Sequence, residues 1–201
     1  MLEGIKIEGT GFFVNTDGYF VTAGHVAKAV RAVIEKAPTK APAVVIPQKD
    51  WGRGSETFDA VALQFRVVRI DEERDLALCR TTLNPFLHPE TKEFVRSVAL
   101  DENVPPDGTE VAFTGFPMGV TIPMSSKGIL ASYTEVSDRG VVLVLQADSW
   151  PGASGSPVFV MNGQVIGLVL AHGQGRFEGG TLARPAAFIK TLLFRLPKPR
   201  L

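Results

Sequence analysis

The spacing of apolar and polar residues changes along this chain, and each change predicts an element. Residues 6–14 and 19–23 are rich in Phe and Val and flank Asn15-Thr16-Asp17-Gly18, whose Asp-Gly suits positive backbone angles, so they read as a first strand pair. Residues 26–36 are alanine-rich with apolar positions three and four apart, the period of a short helix. Pro38, Pro42 and Pro47 then break the chain into edge-like strand pieces, and residues 48–57, polar with Gly52 and Gly54, read as a surface loop. Residues 58–70 alternate as a strand does, and Asp71-Glu72-Glu73-Arg74 turns the chain into a strand headed by Asp75.

Residues 83–92 and 101–108, dense in Pro, Asn and Asp, read as a crossover with Val98-Ala99-Leu100 between them. Further strands are predicted over 121–133 and 140–146, and the runs 157–161 and 164–170 form a hairpin closed by Asn162-Gly163. Residues 186–194 return to helical spacing behind Pro185, which suits a first helical turn. The pattern predicts a largely β chain with two helices, and residues 196–201 read as a tail or the stub of a linker.

Composition narrows the class. With 201 residues, 45% hydrophobic and 21% charged, the chain can bury two small cores and carries no signature of disorder. Lys plus Arg and Asp plus Glu balance at 21 each, so no global charge draws it to nucleic acid or to an anionic membrane. Cys79 is the sole cysteine, which leaves no intramolecular disulfide, and its place in an apolar strand predicts a buried, inert thiol. The N-terminus lacks a basic segment followed by an apolar one, and no run approaches the ~18 apolar residues of a membrane span. A cytoplasmic, soluble protein is the expectation.

The candidate chemistry centres on Gly152-Ala153-Ser154-Gly155-Ser156-Pro157. Gly152 can adopt angles closed to other residues and turn successive N–H groups inward, while Gly155 leaves room for a substrate carbonyl, so the turn is suited to an oxyanion. Ser154 is the candidate nucleophile. His25 follows the first hairpin and Asp75 heads an apolar strand, so a base, an orienting carboxylate and a nucleophile are all available. Asp59 and Asp71 are rival carboxylates, and His88 beside Pro89 reads as a loop residue.

These blocks resemble the chymotrypsin-like (trypsin-like) serine peptidases, and in texture the bacterial HtrA/Deg protease domain. Thr22-Ala23-Gly24-His25-Val26, Asp75-Leu76-Ala77-Leu78 and Gly152-Ala153-Ser154-Gly155-Ser156-Pro157 stand in the family's order His, Asp, Ser, and the likeness runs from about Thr10 to Leu193. It implies an all-β fold: two six-stranded antiparallel β-barrels, with a short helix after the histidine, a C-terminal helix, and the site in the crevice between barrels. Residues 1–100 would form the first barrel, 101–195 the second with its helix, and 196–201 the tail of a single domain. The family pattern favours Asp75 over Asp59 and Asp71, and Glu110-Val111-Ala112-Phe113-Thr114-Gly115-Phe116-Pro117 resembles the opening of the second barrel. Gly128-Ile129-Leu130 resembles a structural strand of that barrel.

The implied function is a serine endopeptidase acting on proteins or peptides through His25, Asp75 and Ser154, with an oxyanion hole at Gly152 and Ser154, aided by Ala153, and no metal or cofactor. Asp148 lies six residues before Ser154, where trypsin and the flavivirus protease place the base of the primary specificity pocket, implying cleavage after Lys or Arg. The HtrA pattern implies a small aliphatic preference instead, and both readings stand. Ser149, Thr181 and Ala183 fall at the pocket, and Leu170-Ala171-His172 resembles the strand that pairs with substrate, with His172 either a subsite wall or a solvated rim residue. Ala153 replaces the aspartate that trypsin relatives pair with a newly cut N-terminus, so that switch is expected to be absent and residues 117–126 are the candidate mobile loop. No PDZ domain is expected within this chain. The alternative is a silent or partner-gated module that binds peptides by strand addition, or an effector domain of a larger assembly with a regulatory partner or fused domain.

Overall fold

The computed structural model describes residues 8–37, 41–47, 60–117 and 123–194. The first half builds an antiparallel sheet from β1 (Phe12–Phe13), β2 (Tyr19–Ala23), β3 (Ala43–Pro47), β4 (Ala60–Asp71) and β5 (Leu76–Thr81), in the order β1-β2-β5-β4-β3. Helix α1 (Gly24–Lys36) leaves directly from β2. In the second half β6 (Glu110–Gly115), β7 (Met124–Val136), β8 (Gly140–Gln146), β9 (Pro157–Val160), β10 (Val165–His172) and β11 (Thr181–Pro185) close into a six-stranded barrel, ordered β10-β11-β8-β7-β6-β9. Helix α2 (Ala186–Leu193) follows β11. The expected all-β architecture with two helices holds; of the two six-stranded barrels expected, the second is closed with six strands and the first is a barrel-like sheet with five among the described residues.

Element edges differ from the sequence pattern for tertiary reasons. Residues 6 and 7 lie outside the described residues, and among the rest of 6–14 the strand is Phe12–Phe13, with the Thr10 N–H donating to the Ser154 carbonyl at 2.8 Å instead of to a ladder neighbour. Helix α1 starts two residues early, at Gly24, because Asp75 satisfies its first N–H groups from another strand. Of the stretch 117–126, residues 118–122 lie outside the described residues, and Ser125 and Ser126 pair with Thr114 and Phe113 in β7. The surface loop over 48–57 and the rival Asp59 also lie outside them.

Among the described residues three apolar clusters hold the fold. Phe13, Phe20, Ile46, Leu63, Cys79 and Val95 fill the first unit, and Val111, Phe113, Leu130, Leu143, Leu145 and Val158 fill the barrel. The third lies between the units: Phe12, Val21, Leu76 and Leu78 pack with Val165, Leu168, Leu170, Leu182 and Ile189. Strand β5 makes this possible because its alternate residues face opposite ways, Cys79 into the first core and Leu76 and Leu78 into the shared one. Burying that apolar seam fixes the two units against each other. Cys79 is fully buried, and burial pushes its thiol up to about 12, in keeping with the inert role expected of it.

Candidate active site

His25 is the second residue of α1, and no side chain on the local chain caps that helix, since the position before it is Ala23. Asp75 supplies the cap from across the sheet. Its carbonyl accepts from the Gly24 N–H at 2.8 Å, its Oδ1 accepts from the His25 N–H at 2.7 Å, and its Oδ2 lies 2.8 Å from His25 Nδ1. A carboxylate at a helix N-terminus also meets the positive end of the helix dipole. One side chain therefore fixes both the backbone and the ring of the histidine. Glycine at 24 is required for the approach, because a Cβ there would sit 2.9 Å from Asp75 Oδ1 and 3.0 Å from its carbonyl carbon.

Asp75 is the single described residue other than glycine with positive φ, at 53°. The left-handed region costs an L-residue about 1–2 kcal/mol, somewhat less for Asp, so contacts must hold it there. Burial raises the Asp75 pKa, but the His25 hydrogen bond, its charge and that of Arg139 outweigh this, so the carboxyl sits below its ordinary value. Asp71 is taken up otherwise, with its Oδ2 2.9 Å from Arg74 Nη1. His88 Nδ1 accepts from the Glu90 N–H at 3.3 Å within the crossover.

Ser154 sits in a loop folded by local turns. Gly152 has φ 95° behind Pro151, and the Ala153 N–H donates to the Trp150 carbonyl at 3.0 Å, the signature of a type II turn. That bond removes Ala153 from the expected oxyanion donors, because its N–H is already used inside the turn. The Gly152 and Ser154 N–H groups make no hydrogen bond among the described residues. The Ser154 hydroxyl donates to the Leu170 carbonyl at 2.8 Å, and among the described residues no hydrogen bond joins it to His25.

The loop is anchored by residues to which the sequence pattern assigned no function. Thr10 Oγ1 donates to the Gly152 carbonyl at 3.0 Å and accepts from the Phe116 N–H at 3.0 Å. The Thr10 carbonyl accepts from the buried Thr22 hydroxyl at 2.6 Å. Thr22 stands in the block that leads to His25 and Thr10 between Gly9 and Gly11, and neither position signals the bond it makes.

The specificity candidates are spread around this loop. Asp148 is exposed, whereas Ser149, Thr181 and Ala183 are buried, and the Thr181 hydroxyl donates to the Ala147 carbonyl at 2.6 Å. Leu170, Ala171 and His172 end β10, where Ala171 pairs with Leu182 and His172 with Thr181. His172 lines a cavity of about 350 Å³ with Val136, Asp138, Arg139, Phe177 and Leu182. Among the described residues no cluster of His, Cys, Asp and Glu could hold a metal ion, and no helix is long and apolar enough to cross a membrane.

A β-sheet unit and a closed barrel joined by an apolar seam, with His25 held by Asp75 at the head of α1 and Ser154 in a glycine-bracketed turn of the barrel, point to the trypsin-like class. The chain belongs to the trypsin-like peptidase domain family, whose model matches residues 9–168. Within that family its homologues include proteases of the HtrA/Deg type. It is 29% identical over 184 residues to the magnetosome formation protease MamE of Paramagnetospirillum magneticum, a match covering 89% of this chain and 22% of that one. It is 27% identical over 199 residues to a probable periplasmic serine endoprotease, DegP-like, of Chlamydia trachomatis, covering 94% and 34%. The chain thus spans between about a fifth and a third of the length of these curated relatives. The fold is also that of the HtrA-type protease AlgW solved with a decapeptide, with a TM-score of 0.68 at 18% identity over 93% of this chain and 50% of that one.

Proposed function

We propose that this domain is a serine endopeptidase that hydrolyses peptide bonds through His25, Asp75 and Ser154. The observation that carries the reading is the double contact of Asp75 with the His25 backbone and ring, 2.7 and 2.8 Å, which leaves Nε2 as the free nitrogen of the base. In the proposed cycle the Ser154 hydroxyl leaves the Leu170 carbonyl by rotation about its side-chain bond and gives its proton to His25 Nε2 as Oγ attacks the substrate carbonyl. Asp75 stabilises the imidazolium that forms. The Gly152 and Ser154 N–H groups receive the oxyanion, one such donor being worth roughly 2.7–4 kcal/mol in the transition state. His25 then protonates the leaving amine, and water releases the acyl group by the same steps.

The Leu170 carbonyl is also a natural acceptor for an extended substrate lying along β10, so substrate binding and release of the Ser154 hydroxyl are coupled in this reading. For the residue before the scissile bond, the exposure of Asp148 and the burial of Thr181 and Ala183 support a small aliphatic preference over Lys or Arg. A sheltered carboxylate would be needed to hold a buried cation. The test is fluorophosphonate labelling of the wild type and Ser154→Ala, beside a peptide-library cleavage profile. Labelling of the wild type alone, with cuts after Val, Ala or Leu, is expected. Cuts after Lys or Arg would return the pocket to Asp148. A folded wild type that neither labels nor cuts would replace the enzyme reading with a silent or partner-gated module.

A further inference from the structure

The left-handed backbone of Asp75 is restrained through the peptides on both sides of it. On the C-terminal side the restraint is local to the sheet, with the Gly24 N–H on the Asp75 carbonyl and Ala23 paired with Leu76. On the N-terminal side the peptide joining Arg74 to Asp75 is held from the other unit. Arg184, on β11 of the barrel, donates from Nε to the Arg74 carbonyl at 2.8 Å. Its remaining nitrogens donate to the carbonyls of Val141 and, at 2.8 Å, Arg139, across the turn joining β7 to β8.

Arg184 is 2% exposed and, among the described residues, makes no ion pair. Its guanidinium lies 5.7 Å from the centroid of the Phe188 ring, over which Arg74 also sits at 5.3 Å. Burying a cation on neutral carbonyls is costly, and an apolar side chain of similar volume would pack the same space at lower cost. Burial lowers the Arg184 pKa and the negative charge of Asp75 acts against that lowering. The position of Arg184 in the ladder supplies a reason for keeping it. Leu168 is its partner on β10, two residues before the Leu170 carbonyl that holds the Ser154 hydroxyl. The guanidinium therefore ties the strand pair beside the nucleophile directly to the peptide that sets the direction of the carboxylate.

We propose that Arg184 is a positioning residue for the triad: from the barrel it locks the Arg74–Asp75 peptide, and so holds Asp75 and His25 in register with Ser154 across the crevice. This rests on the peptidase reading above, and its test has one readout that does not need turnover. The low-field proton resonance of His25 Nδ1–H bonded to Asp75, assigned by its loss in Asp75→Asn, is recorded for the wild type, Arg184→Met and Arg184→Lys. In parallel kcat and KM are measured on a cleaved peptide.

In Arg184→Met the resonance is expected to move upfield or vanish while the protein stays folded, and kcat to fall roughly 10- to 100-fold with KM changed by less than about twofold. Arg184→Lys, which keeps the charge but not the three-way fork, should recover part of both. If Arg184→Met does not fold, Arg184→Lys decides by the same readouts. A wild-type resonance and kcat in the folded variants would overturn the proposal, as would an unchanged resonance with a raised KM, which would make Arg184 a wall of the substrate site. If the wild type shows the resonance but cuts nothing, the peptidase reading fails, and the resonance in the variants still decides the role of Arg184.

Discussion

Thr10→Val tests how the loop that carries Ser154, the proposed nucleophile, is held. Thr10 is 6% exposed and contacts both ends of the Gly152–Ser154 segment, the first through its hydroxyl and the second through its backbone N–H. Valine keeps the shape and the β-branch, so the backbone bonds to Ser154 and from Thr22 persist. What disappears are the two hydroxyl bonds of 3.0 Å, to the Gly152 carbonyl and from the Phe116 N–H. Both partners are part-buried, so leaving each without its bond costs about 1 kcal/mol, near the low end for an unsatisfied group, or about 2 kcal/mol together. For a domain of this size that lowers Tm by about 4–8 °C.

The larger effect should be on chemistry. The freed carbonyl lets the Gly152–Ala153 peptide drift, and with it the two proposed donors on either side; full loss of one oxyanion donor would cost roughly 10²–10³ in kcat, so partial misplacement should cost about tenfold. Calorimetry and the rate of fluorophosphonate labelling measure the two effects on one sample. Thr10→Ser, which keeps the hydroxyl, should label at close to the wild-type rate. A Thr10→Val protein with Tm within about 1 °C of wild type and an unchanged labelling rate would refute the argument that this hydroxyl holds the oxyanion turn.

Two further outcomes follow from the geometry. At Gly155, φ is 90° and a Cβ would meet the Thr10 carbonyl oxygen and the Thr22 hydroxyl, whereas at Gly163, φ 86°, nothing lies within 4 Å. Gly155→Ala should then destabilise by about 2–5 kcal/mol through strain and overpacking, against about 1–2 kcal/mol for Gly163→Ala through strain alone; equal losses in urea titrations would contradict the close approach. For Asp75, whose folded pKa is lowered, the sign is that of a carboxylate bound in its charged form: its contribution to stability is complete above the ordinary carboxylate value of about 3.9 and is lost as pH falls through the lower folded value. The difference in Tm between wild type and Asp75→Asn should therefore persist down to about pH 4 and collapse below it, and a difference that does not vary with pH would show that the charge of Asp75 does not stabilise the fold.

Local signals in the sequence set out most of the strands, both helices and the candidate site. Asn-Gly at 162–163 and Asp-Gly at 17–18 mark turns where glycine takes positive φ, 86° and 80°, and the helical period at 186–194 marks α2. The three blocks around His25, Asp75 and Ser154 were legible because glycine, histidine and small hydroxyl residues at fixed short offsets are local features. The tertiary structure decided everything that depends on distance along the chain. It chose between Asp71 and Asp75 by giving the first to Arg74 and the second to His25. It placed the Ser154 hydroxyl on Leu170, withdrew the Ala153 N–H into a turn, and put Asp75 in a left-handed conformation that no neighbour in sequence calls for. The bonds of Thr10 to Gly152 and of Arg184 to Arg74 join residues 142 and 110 positions apart. An apolar period records which face of a strand is buried. It does not record which distant carbonyl a buried hydroxyl or guanidinium will meet, because that partner exists only once both units have closed over their shared core.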